Sequence, residues 1–212
     1  MIRVVIADDH TIVRHGLCRV IALASDMELA GEVKDGWEVL ERLSGKPFDL
    51  LLLDMTMPGP HGIELIKRIR NEAKGLHILV LSMHTECQFV DGAIKAGANG
   101  YLTKDSDPDS ILSAIRQIAA GGNVIAPELA ARLLFEPTAA SGNGAWGKLS
   151  EREFDIFLKF AAGRKVSDIA ADLCLSPKTV STHKYRIMQK LGVNSVGELI
   201  HYAYSHKLLG QS

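Results

Sequence analysis

Cysteine is scarce in this chain. There are three, Cys18, Cys87 and Cys174, an odd number with no metal-ligand spacing between them. This argues against a disulfide framework or a thiolate zinc site, and the expectation is buried or incidental thiols in a reducing compartment. Long hydrophobic runs are missing as well. No apolar stretch approaches the roughly 18 residues of a membrane span. The opening Met1-Ile2-Arg3-Val4-Val5-Ile6 runs straight into Asp8-Asp9, as a first strand does and a signal peptide does not. A cytoplasmic protein is therefore expected. An excess of charge of either sign is also absent, the net value being −1 over 212 residues. That balance hides an asymmetry. From Lys148 to Ser212 there are ten Lys and Arg against six Asp and Glu, while the preceding residues hold fourteen against nineteen. An acidic front and a basic back suggest two domains, the second facing nucleic acid, and the length accommodates two ordinary domains.

The front part is organised around Phe48-Asp49-Leu50-Leu51-Leu52-Leu53-Asp54-Met55-Thr56-Met57-Pro58-Gly59. Four consecutive leucines leave no polar face, so a strand here is covered on both sides, as in a parallel sheet. Strand-like runs at Ile2–Ala7, Glu28–Val33, Asp49–Leu53, His77–Leu81 and Gly100–Thr103 alternate with helix-spaced apolar residues through residue 121. Five β–α repeats predict a doubly wound, five-stranded parallel sheet of flavodoxin type with right-handed crossovers. Gly121-Gly122 stops the fifth helix.

The strand ends carry the chemistry. Strand one ends at Asp8-Asp9, strand three at Asp54, strand four at Ser82 and strand five near Lys104. In a parallel sheet all carboxyl ends point the same way, where open α/β sheets place their ligands. Three carboxylates held together repel one another unless a cation sits among them. Oxygen ligands of this kind suit Mg²⁺, which accepts one or two carboxylates together with phosphate oxygens. Lys104 adds a positive charge for an arriving anion and Ser82 a short hydroxyl donor. The combination is a phosphoryl-transfer site with an aspartate nucleophile. Blander roles exist for each residue: Asp8-Asp9 or Asp54 as helix caps, Ser82 as a turn residue, Lys104 as a surface charge. Their joint occurrence at strand ends favours the site.

Asp8-Asp9, Asp54 before Met55-Thr56-Met57-Pro58-Gly59, Ser82, and Lys104 after Tyr101-Leu102-Thr103 resemble the receiver domain of two-component response regulators, over residues 1–121. The resemblance implies that Asp54 accepts a phosphoryl group from a sensor-kinase histidine. It further implies Mg²⁺ at Asp9, Asp54 and the Thr56 carbonyl, with Asp8 acting largely through water. Ser82 and Tyr101 would be the switch pair, and Lys104 would hold the phosphoryl oxygens.

Residues 122–147 read as a linker that includes a short helix at Pro127–Phe135, and from Glu136 to Gly147 as a flexible tether of glycine, proline and small polar residues. Trp146 either packs on the second domain or is exposed. Four helices follow over 148–212. Ser150 with Glu153 forms a capping box for the first, whose buried stripe is Phe154, Phe157, Leu158 and Ala161. The second runs from Val166 to Leu173. Ser176 caps the third, with Pro177 at its first position and Gly192 after its end. The last is expected over Glu198–Leu208.

On the third helix Val180, Ile187 and Leu191 fall within about 40° of one another on a helical wheel. The opposite face carries Lys178, Ser181, Thr182, Tyr185 and Gln189, groups suited to hydrogen-bonding base edges. No acidic residue occurs from Ser176 to Leu191. Lys178, Lys184, Arg186 and Lys190 would serve phosphates, Thr179 is expected among the DNA-contacting residues, and His183 is read as a packing residue. Leu149-Ser150-Glu151-Arg152-Glu153, Leu175-Ser176-Pro177-Lys178-Thr179-Val180 and Lys190-Leu191-Gly192-Val193 resemble the LuxR-type helix-turn-helix domain. Asp168 and Ser181 depart from it, standing where the family often has a base and a lysine, which bears on the operator sequence. With its receiver, the whole chain resembles a NarL/FixJ-family response regulator.

That resemblance implies a transcription regulator whose partners are a sensor histidine kinase, double-stranded promoter DNA and a second copy of the chain, with RNA polymerase a further candidate. It would be a switch with at most slow self-dephosphorylation and not a metabolic enzyme. An aspartate-nucleophile phosphatase is the first rival. Such enzymes typically carry a second acid two residues past the nucleophile, and Thr56 stands there. A phosphorylation-independent DNA-binding protein with a vestigial receiver is the second, and the intact aspartate and lysine set argues against it.

Overall fold

The computed structural model describes residues 1–135, 145–173, 175–206 and 208. Cys174 and 136–144, most of the expected tether, lie outside the described residues. The chain divides into two compact units, Met1–Thr138 and Ala139–Ser212.

In the first unit strands and helices alternate: β1 Ile2–Ala7, α1 Thr11–Leu23, β2 Met27–Val33, α2 Gly36–Leu43, β3 Leu50–Asp54, α3 Gly62–Glu72, β4 His77–Ser82, α4 Cys87–Ala96, β5 Gly100–Thr103 and α5 Pro108–Ala119. Beyond these come β6 Val124–Ile125 and α6 Pro127–Phe135. All strands are parallel, in the order β2-β1-β3-β4-β5-β6. The sheet therefore has six strands where five were expected. The sixth is two residues long and held by backbone pairing to Gly100 and Tyr101. Such a short edge segment has no room for a hydrophobic period. Within the segment read as a linker, Ala126 and Leu129 also join the core of this unit.

The strand β3 is central, and Leu50, Leu51, Leu52 and Leu53 are all fully buried, as a strand covered on both faces requires. Chain order reverses between β1 and β3, so a crevice opens at their carboxyl ends. At the opposite end of the sheet Arg3 forks onto Asp49, with Nη2 at 2.7 Å from Oδ1 and Nε at 3.1 Å from Oδ2. The Arg3 hydrogen bond, working against slight burial, holds the Asp49 pKa down at about 2, from an ordinary 3.8. A depressed carboxylate pKa stabilises the fold above the unfolded value and loses that contribution as pH falls through the folded one. Both side chains are more than a third exposed, so screening keeps the gain small. Asp49→Asn should lower the thermal midpoint slightly at neutral pH. The difference from wild type should shrink as the pH drops from about 4 towards about 2, a trend that melting curves across that range would check.

The second unit begins with a 3₁₀ turn at Ala145–Lys148, followed by α7 Glu151–Ala161, α8 Val166–Asp172, α9 Pro177–Leu191 and α10 Val196–Ser205. Trp146 packs here, its ring 5.6 Å from that of Phe154, and its main-chain N–H donates to the Tyr202 hydroxyl at 3.3 Å. The Ser150–Glu153 capping box forms as expected. Phe154, Phe157 and Ala161 are buried, Leu158 only partly so, and Ile156 and Phe160 complete the face. Ser176 caps α9, and Gly192 ends it at φ 69°, the left-handed conformation glycine adopts freely. The last helix starts two residues earlier than expected, because Ser195 accepts the Glu198 N–H and caps it there; it ends at Ser205 instead of Leu208. Among the described residues no helix is long and apolar enough to cross a membrane.

Candidate functional site

The crevice gathers the strand-end residues. Asp8 and Asp54 are buried to within 2% of complete, and Ser82 is fully buried. From the end of β5, Lys104 extends its Nζ to 2.8 Å from Oδ2 of Asp8 and 2.8 Å from Oδ2 of Asp54. Thr56 turns back onto Asp54, its N–H and hydroxyl each donating to Oδ1 at 3.2 Å. Asp54 does not cap the next helix, which begins at Gly62 with His61 at its N-cap.

His10, for which the sequence alone suggests no role, joins them. Its Nδ1 lies 2.9 Å from Asp9, 3.3 Å from Asp8 and 3.8 Å from Asp54. The one signal for it is its place directly after Asp8-Asp9. One ligand atom from each of Asp8, Asp9, His10 and Asp54 can be chosen so that all lie within 4.8 Å of one another.

Charge state follows from these contacts. Burial works to raise the Asp54 pKa, but His10, Lys104 and the Thr56 N–H outweigh it and hold the group below the usual carboxylate range. Burial likewise pulls Lys104 down, while Asp54 and Asp8 together carry it above its ordinary value. His10 is raised, first by Asp54, against burial. At neutral pH the crevice thus presents an ionised Asp54 facing a charged ammonium, with the side chains of Asp8 and Asp9 beside it. That is the charge state of a carboxylate nucleophile with an anion-holding group at hand.

Ser82 and Tyr101 meet through the loop after β4. The N–H of His84 donates to Ser82 Oγ at 3.1 Å, and the Tyr101 hydroxyl donates to the His84 carbonyl at 2.9 Å. Tyr101 is fully buried. The β4–α4 backbone is therefore tied to both side chains.

In the second unit Val180, Ile187 and Leu191 of α9 are buried against α7 and α8. Lys178, Ser181, Thr182, Tyr185, Arg186 and Gln189 are exposed, and Lys184 is half-buried. Two hydroxyls on this face already have partners. Thr182 donates to the Lys178 carbonyl at 3.0 Å, and Tyr185 accepts from Gln189 Nε2 at 2.9 Å. Thr179 sits apart, its hydroxyl 2.8 Å from Ser176 Oγ at the cap. Lys190, read as a phosphate contact, instead pairs with Glu153 of α7, holding that carboxyl below its usual range against the opposing effect of burial. This pair spans 37 residues, and no local pattern marks it.

Comparison with known proteins agrees with this division. Residues 4–116 match the response regulator receiver domain family, and residues 147–203 match the luxR family of bacterial regulatory proteins. The chain is 36% identical over 213 residues to the response regulator GacA of Pseudomonas protegens, covering all of both chains. It is similar to the Salmonella typhimurium RcsB response regulator, studied for its conformational dynamism in DNA interaction, at TM-score 0.60 and 31% identity, over 96% of this chain and 98% of that one. A structure of two RcsB dimers bound to two parallel DNAs matches at TM-score 0.60 and 30% identity, over 96% and 98%. Family matches at both ends and full-length relatives above 30% identity make the chain a two-component response regulator of the NarL/FixJ family, a receiver domain joined to a LuxR-type helix-turn-helix DNA-binding domain.

Proposed function

We propose that Asp54 is the phosphoryl acceptor and that its modification controls sequence-specific DNA binding by α9. The observation that carries this reading is the buried, ionised Asp54 carboxylate, 2.8 Å from Lys104 and flanked by Asp8 and Asp9. In the transfer, an Asp54 oxygen attacks the phosphorus of a phosphohistidine on a sensor kinase. The P–N bond breaks, and its electron pair returns to the imidazole, which takes up a proton. Lys104 meets the phosphoryl oxygens and offsets their charge.

The donor set suits a hard divalent cation: three carboxylates bring ligand atoms within 4.8 Å of one another, although one imidazole stands among them. Asp9, Asp54 and the Thr56 carbonyl would hold Mg²⁺, with Asp8 acting through water. When bound, the ion offsets the carboxylate charge and that of the incoming phosphoryl oxygens. Thr56 brings no titratable group to Asp54, which favours a slow-decaying switch over a phosphatase.

Phosphorylation at Asp54 draws on Ser82, whose link through His84 to Tyr101 carries the change to the β4–α4 surface. The altered surface promotes a homodimer in the cytoplasm that reads promoter DNA and meets RNA polymerase there. On α9, Ser181, Thr182, Tyr185 and Gln189 face bases. Lys178, Lys184 and Arg186 serve phosphates, and Thr179 secures the start of the helix. The relative RcsB, described as dimers on DNA, supports the dimeric mode. On α10, Leu199 and Ala203 fill the domain's own core, which leaves Tyr204, 68% exposed, and half-buried Ile200 for a partner. Sedimentation of phosphorylated protein on selected DNA should give two chains per site at saturation. One chain per site would contradict dimeric recognition.

A further inference from the structure

Arg14 holds the acidic turn from outside the crevice. Its Nη1 donates to the main-chain carbonyl of Asp8 at 2.7 Å, and its Nε lies 3.3 Å from Oε2 of Glu32 on β2. The Arg14 side chain is 15% exposed, well shielded for an arginine near a surface. Its own N–H donates to the His10 carbonyl at 3.0 Å, so it belongs to the first turn leaving Asp8-Asp9-His10.

The geometry of a peptide unit gives this contact a consequence. The unit is planar, so the Asp8 carbonyl oxygen and the Asp9 Cα lie in one plane. Whatever fixes that oxygen fixes where the Asp9 Cα stands at the end of the strand, the point from which its side chain departs toward the crevice. The rest of Asp8 is also tied. Its N–H donates to Val33 at 3.2 Å, its Oδ1 accepts the His10 N–H at 2.7 Å, and its Oδ2 meets Lys104. The carbonyl is the remaining polar group, and Arg14 takes it.

We propose that Arg14 is a positioning residue for the divalent-cation site, holding the Asp8–Asp9 peptide plane so that the Asp9 carboxylate faces the crevice, with Glu32 holding the guanidinium in turn. This rests on the reading that Asp9 and Asp54 bind the cation. Two effects of opposite sign are at stake. As a positive charge near the cluster, Arg14 opposes cation binding, and removing it would tighten the site. As a support behind a ligand, it favours binding, and removing it loosens the site. Glu32 offsets much of the charge, so the positioning effect prevails.

The test is Mn²⁺ binding to the full-length protein, read from the free-ion electron paramagnetic resonance signal and repeated with Mg²⁺ by calorimetry. Arg14→Met keeps the packing stem but drops the donor and the charge, and it should weaken Mn²⁺ binding roughly tenfold, in the range usual for groups that orient metal ligands. Arg14→Lys can still donate to the Asp8 carbonyl and should stay within about threefold of wild type. Affinity in Arg14→Met that is unchanged or tighter, in a folded protein, overturns the proposal and leaves Arg14 as a fastener of α1 to β2. Should Arg14→Met fail to fold, Glu32→Gln decides: it releases one anchor of the guanidinium and should weaken binding about twofold, and an unchanged affinity overturns the proposal. Asp9→Asn separates the two readings. If it binds Mn²⁺ as wild type does, the cation site itself is misassigned and this inference falls with it. If it binds weakly while Arg14→Met does not, only the positioning role falls.

Discussion

Asp54→Ala protein incubated with acetyl phosphate and Mg²⁺ should keep its unmodified mass, while wild type gains the mass of one phosphoryl group. The expectation follows from the site's asymmetry. Asp54 lies between Lys104 and the Thr56 donors with its charge maintained, whereas Asp8 is consumed by His10, Lys104 and its own backbone contacts. The substitution should not unfold the domain, because Lys104 retains Asp8 at 2.8 Å and is not left as a lone buried charge. Chelating divalent cations should abolish labelling of wild type, since three carboxylates and a phosphoryl group repel one another without a cation among them. Intact-mass measurement reads both arms. Labelling that survives the substitution, or that proceeds without a divalent cation, contradicts the assignment.

The second large effect is expected on α9, where base readout and phosphate contact separate. Tyr185→Phe should cost about 1–3 kcal/mol on the cognate site and much less on random DNA. The Tyr185 oxygen already accepts from Gln189, which leaves its O–H to donate to a base edge. The Thr182 hydroxyl spends its proton on the Lys178 carbonyl and is left as an acceptor, so Thr182→Val should fall at the lower end of that range. Half-buried Lys184 reaches the backbone by running its stem along the helix. Lys184→Ala should weaken cognate and random binding about equally and flatten the salt dependence by about one unit of slope. Competition binding at several salt concentrations distinguishes these outcomes. A Lys184→Ala protein with relaxed base preference, beside an unaffected Tyr185→Phe, would mean that α9 docks in another rotation.

What could be read in the sequence depended on how local the cause is. The Leu50–Leu53 strand is legible because four leucines in a row admit no exposed face, and the chain around it shows a plain alternation of periods. The start and end of α9 are legible because Ser176, Pro177 and Gly192 act within a turn of themselves. Convergence of Asp8, Asp54 and Lys104 follows from topology alone, since parallel strands deliver their ends to one edge. The parts that were missed arise from tertiary partners. The strand β6 exists through the backbone of β5, and Lys190 is claimed by a carboxylate on another helix. His10 and Arg14 bear on the acidic turn through contacts that no motif in the chain announces.

The central claim is that the state of Asp54 sets the affinity of α9 for its DNA. The direct measurement is the dissociation constant for duplexes selected from a random pool. It would be determined for wild type with and without acetyl phosphate in Mg²⁺ buffer, and for Asp54→Ala under both conditions. Wild type should bind these duplexes markedly more tightly after phosphorylation, and Asp54→Ala should stay at the unphosphorylated affinity throughout. Equal affinities for phosphorylated and unphosphorylated wild type, with the mass shift verified in the same samples, would contradict the claim and leave a DNA-binding domain that its receiver does not control.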